Sequence, residues 1–242
     1  MWPAARIDAL AADREERAGA LARRAVEILV DAAEAGTDAV SVARALAAAR
    51  PSMGAVAGAV GRIVAAAPTP VQVVQEGRAL LEAYERASRP IAVLLQPLLA
   101  GRVLTHSPSA AVIEALDRAL VDGWTRAQPG AEGAAVAAAD VVLVGADIVF
   151  LDGSIVSAAG TCAVAEAAAQ AGLPVVAAAE TLTLVPADAH DPEEELFELT
   201  PAELLTTIVT EEGAFAPQEV ASLIDRIPFL RQGYELVAPV RV

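Results

Sequence analysis

A chain of 242 residues with 17 Lys+Arg against 32 Asp+Glu has a formal net charge of −15. Such a chain repels nucleic-acid phosphates, so direct DNA or RNA binding is not expected. The length suits one large domain or two small ones, and with 55% hydrophobic but only 3% aromatic residues the packing rests on Val, Leu and Ile, because Ala contributes little on burial.

The first hundred residues read as helix. Residues 4–35 place Ile7, Leu10, Leu21, Val26, Ile28 and Leu29 close to helical spacing, with Arg and Glu between them. The triplet Gly36-Thr37-Asp38 ends that helix. Further helices are predicted over 39–49, from about 52 to 66, over 71–88, and over 91–99 after Pro90. Short Pro/Gly connections between amphipathic helices predict an antiparallel bundle over residues 1–100.

After Gly101 the pattern changes to that of a parallel sheet over residues 101–242. Strands are predicted at 103–106, 141–144, 148–151 and 174–179, with helices over 109–121, 160–171 and 217–227. Strands apolar on both faces and separated by helices indicate a Rossmann-like parallel sheet with helices on each side. The fold class is therefore α/β, a helical bundle followed by a Rossmann-like domain.

The compartment is read from small features. The single Cys162 cannot form an internal disulfide or a Cys-based zinc cluster, which fits a reducing interior. Asp8, Asp13, Glu15 and Glu16 make the N-terminus unlike a signal peptide. The apolar run 136–151 is too short to span a bilayer and is broken by Asp140 and Asp147. A cytoplasmic protein without membrane contact is expected. All 17 basic residues are Arg, a usage that either genome composition or salt adaptation produces.

Ligands of parallel α/β sheets bind beyond the carboxyl ends of the strands. That rule selects Thr105-His106-Ser107, Gly145-Ala146-Asp147 with Asp152-Gly153-Ser154, and Glu180-Thr181. Asp147 either acts as a general acid or base, if burial raises its pKa, or caps the next turn. His106 is either catalytic or bonded to backbone. Ser107 and Ser109 can cap the helix after Pro108. Cys162 reads as a small buried hydrophobe, and the acidic run 191–195 as a solvated loop rather than a metal site. No metal or cofactor is expected.

At these loops the sequence resembles a known family. Val103-Leu104-Thr105-His106-Ser107 resembles the hydrophobic-Leu-Thr-His strand of the initiation factor two-B α/β/δ family, which includes ribose-1,5-bisphosphate and methylthioribose-1-phosphate isomerases. Val144-Gly145-Ala146-Asp147, Asp152-Gly153-Ser154 and Gly160-Thr161 are similar to its "VGAD…DGSVxNKxGT" signature. Residues 174–180, 197–201 and 208–213 resemble its later strands, and Arg50-Pro51-Ser52 its helical-domain turn.

The departures bear on function. The family's isomerases carry a catalytic Cys where Ser107 stands, and Asn-Lys where Ser157-Ala158 stands. In their phosphate-binding turn, here residues 125–133, Gln128 replaces an Arg, and Arg126 falls where an acid is expected. Most of one strand-helix unit before Asp140 is absent. The resemblance implies Asp147 and the Ser107 position as catalytic, and Arg50, Thr105, His106, Arg126, Gln128, Ser157 and Glu180 as substrate-binding. It implies a homodimer through the C-terminal domain, to which Ile224, Ile227, Phe229, Leu230 and Tyr234 contribute, and a sugar phosphate or nucleotide as ligand. With these losses the expectation is a non-catalytic binding or regulatory module, the alternative being an aldose-ketose isomerase.

Overall fold

The computed structural model describes residues 1–51, 53–106, 108–119, 121–128, 130–192 and 195–237. They form two compact units. The first comprises Met1–Glu85, Leu182–Ala187 and Ser222–Val242, and the second Arg86–Thr181 and Asp188–Ala221. This differs from a division at residue 100: the boundary falls earlier, and the end of the chain joins the helical unit.

The helical unit holds α1 (Ala4–Ala12), α2 (Ala18–Glu34), α3 (Ala39–Ala49), α4 (Gly54–Ala66), the first part of α5 (Pro70–Leu95) and α10 (Leu230–Val237). The continuous helix expected over 4–35 is split. Asp13 leaves helical geometry at ψ 124°, and its carboxylate accepts from the backbone amides of Glu15 and Glu16 at 3.1 and 3.0 Å. An Asp side chain that serves nearby amides competes with helix continuation. At α3 the same chemistry starts a helix, where Asp38 accepts from the Ser41 amide at 3.0 Å.

α10 is the main correction to the first unit. Ile224, Ile227 and Leu230, expected at a dimer interface, are 0%, 9% and 3% exposed within this unit, whereas Phe229 is 47% exposed. The packing is possible because α10 crosses α4 at two glycines. A Cβ on Gly61 would sit 2.2 Å from the Gly233 carbonyl oxygen, so only glycine admits that approach.

α5 corrects a second expectation. The helices predicted on either side of Pro90 are one helix, Pro70–Leu95, with Pro90 inside it. Proline removes one helical hydrogen bond, but Ile91, Ala92 and Leu95 are fully buried against Val103, Val141, Leu143 and Val209. That apolar burial holds the helix past the proline.

The second unit contains β1 (Arg102–His106), α6 (Ala110–Arg118), β2 (Gly123–Arg126), α7 (Glu132–Ala137), β3 (Val141–Gly145), β4 (Ile148–Val149), β5 (Ile155–Ala158), α8 (Thr161–Ala171), β6 (Val175–Ala178), β7 (Phe197–Thr200), β8 (Thr207–Thr210) and β9 (Gly213–Phe215); α9 (Val220–Arg226) begins in it and runs into the first unit. Its six-stranded sheet runs β2-β1-β3-β6-β8-β9. All neighbours are parallel except β9, which returns antiparallel from β8. The Rossmann-like expectation therefore holds. β2 and α7 occupy the stretch that the resemblance reads as a phosphate-binding turn, residues 125–133.

The strand expected over 148–151 is not part of the main sheet. β4 pairs antiparallel with β5, and β5 with β7, in a separate three-stranded sheet. Gly153, at φ +85°, closes a tight turn in which Phe150 donates to the Ser154 carbonyl at 2.9 Å. So short a connection permits only antiparallel pairing.

Candidate functional site

The parallel strands β1, β2, β3, β6 and β8 end on one side of the sheet, at His106, Arg126, Gly145, Ala178 and Thr210. Backbone bonds continue just beyond those ends. The Ala146 amide donates to the Ala178 carbonyl at 2.8 Å, and Ala179 to Val209 at 3.0 Å. These bonds set the neighbouring loops, and hence Asp147, Glu180 and Glu211, beside one another at the ends of β3, β6 and β8.

Asp147 is 4% exposed, and its amide donates to the Val156 carbonyl at 2.8 Å. Glu180 is partly buried, and its carboxyl is pushed up to about 7. Burial is the largest cause, opposed by its own backbone hydrogen bond and reinforced by the negative charges of Glu211 and Asp147. Glu211 is held by Thr181, whose amide lies 3.1 and 3.0 Å from its two oxygens and whose hydroxyl donates at 2.5 Å.

Thr105 and His106 stand at the end of β1, beside β3. The two residues are 0% and 8% exposed. His106 Nε2 lies 2.9 Å from the Ala159 carbonyl oxygen. A carbonyl only accepts, so Nε2 is the donor in this contact. The His106 Nδ1 and the Thr105 hydroxyl are buried without hydrogen-bond partners among the described residues.

The remaining expected residues divide. Ser157 is fully buried, and its hydroxyl donates to the Gly145 carbonyl at 2.7 Å, which pins the β4–β5 hairpin to the end of β3. Arg126 and Gln128 are exposed. Arg126 ends β2 in register with Thr105. Arg50 is 3% exposed in the helical unit and donates to the Asp13 carbonyl. Ser107 lies outside the described residues. Cys162 is a helix-start residue whose thiol is pushed up by burial and by Glu166, Glu198 and Glu203; its amide donates to Glu198 at 2.6 Å. Among the described residues no cluster could hold a metal ion, and no helix is long and apolar enough to cross a membrane.

Glu211 is the member that the sequence analysis does not assign to the site. The strand-end rule that selected Asp147 would have found Glu211, since it directly follows β8.

The helical unit and the mostly parallel sheet give the chain a fold similar to that of solved initiation factor 2B subunits and of a 5-methylthioribose 1-phosphate isomerase. Residues 130–196 match the model of the initiation factor 2 subunit family, so the resemblance read from the motifs holds. Ribose 1,5-bisphosphate isomerase of Haloferax volcanii is 33% identical over a 111-residue alignment, with 35% of this chain and 34% of that protein covered. The match thus spans about a third of the length of this curated relative. The translation initiation factor eIF-2B of Pyrococcus horikoshii OT3 superposes with a TM-score of 0.73 at 21% identity, covering 88% of this chain and 96% of that one. The eIF2B beta subunit of Chaetomium thermophilum gives 0.77 at 15% identity, covering 96% and 91%.

Proposed function

We propose that this chain is an initiation factor 2B-like binding or regulatory module that does not turn over sugar phosphates. The observation that carries this reading is the sign of the charge at the strand ends. Asp147, Glu180 and Glu211 come from adjacent strands β3, β6 and β8. A phosphate brings up to about two further negative charges, and the chain has no Lys to offset them. Of the cations that the resemblance enlists, Arg50 is buried in the helical unit and donates to the Asp13 carbonyl, and Arg126 is on an exposed strand. Ser107 in place of a thiol removes the family's proton-transfer partner. The test is to incubate the purified chain with ribose 1,5-bisphosphate and follow ribulose 1,5-bisphosphate. No turnover is expected. A rate near about one per second that disappears in Asp147→Asn overturns the reading.

One observation favours the isomerase alternative. Asp147 is buried, and neighbouring Glu180 is pushed up to about 7. Two adjacent carboxyl groups held in different environments are the usual arrangement for an acid and a base. The same assay decides between the two readings.

A further inference from the structure

We draw no further inference here: the strongest candidate, the exposed strand β2 with Trp124 at the edge of the six-stranded sheet, carries nothing because nothing in the structure shows what covers it.

Discussion

Glu211 accepts from both the amide and the hydroxyl of Thr181, at 3.0 and 2.5 Å, and so fixes a carboxylate from the end of β8 beside the end of β6. Its charge reaches Glu180, the residue immediately before Thr181 in the chain, and together with burial and Asp147 pushes that carboxyl up to about 7.

The pH dependence of stability follows. The folded protein binds the Glu180 proton more tightly than the unfolded chain, whose ordinary value is 4.5. Between those two values the folded state holds more protons, so stability falls as pH rises through the window. The slope is at most about 1.4 kcal/mol per pH unit, reduced because Glu180 is only partly buried. Asp13, Asp38 and Asp140 are lowered, chiefly by hydrogen bonds from the Glu16 amide, the Ser41 hydroxyl and the Arg102 amide. They act with the opposite sign, below their ordinary 3.8. Maximum stability is therefore expected near about pH 4–5. Urea denaturation between pH 4 and 8 measures the slope, and Glu180→Gln flattens it.

The crevice was legible where chemistry follows from strand order. Thr105, His106, Asp147 and Glu180 stand directly after or at the end of apolar strands, and parallel sheets place such positions on one side. What escaped was set by tertiary contacts. β2 reads Gly-Trp-Thr-Arg, too short a run to show the apolar alternation that marks a strand. The segment of α10 reads as part of a dimer interface, with Leu230 and Tyr234, until Gly61 and Gly233 admit it to the core of the helical unit. Pro90 looks like a helix boundary until burial of Ile91 and Leu95 overrides it. Local signals describe the chain one segment at a time, and each of these outcomes depends on a segment far away.

The glycine crossing predicts a sharp stability contrast. Gly61→Ala puts a methyl group 2.2 Å from the Gly233 carbonyl oxygen, on backbone that cannot rotate away. Overpacking of this kind costs about 1–3 kcal/mol, more than the roughly 1 kcal/mol that Ala gains over Gly in a helix. Gly133 in α7 has nothing within 4 Å of its Cβ position, so Gly133→Ala keeps the propensity gain. Thermal unfolding is expected to show a lower Tm for the first variant and an unchanged or higher Tm for the second.

Ser157 predicts a structural effect where the family resemblance implies a ligand contact. Its hydroxyl donates to the Gly145 carbonyl at 2.7 Å in a fully buried setting. Ser157→Ala leaves that carbonyl without the bond, at a cost of about 1–3 kcal/mol. Urea midpoints measure the loss. If Ser157→Ala instead leaves stability unchanged and weakens ligand binding, the hydroxyl serves the ligand.

The last prediction concerns whether a single substitution restores chemistry. Ser107→Cys reinstates the residue type that the resembling isomerases use, and a positioned acid–base group contributes about 10²–10⁴ in rate. Carboxylates oppose thiolate formation, and Asp147, Glu180 and Glu211 gather at these strand ends. Cys162 shows this effect within the same chain, its thiol pushed up by burial and by Glu166, Glu198 and Glu203. The phosphate anchor also stays absent, since Gln128 cannot hold phosphate through a charged fork as an Arg does. Restoring one group of several that act on one transition state recovers little, because their effects are strongly non-additive. Neither the parent nor Ser107→Cys is expected to convert ribose 1,5-bisphosphate, whereas Ser107→Cys combined with Gln128→Arg is the variant in which activity should first emerge. Turnover in Ser107→Cys alone, lost again on Asp147→Asn, would mean that the crevice binds the bisphosphate despite its charge, and the proposal of a non-catalytic module would fail with it.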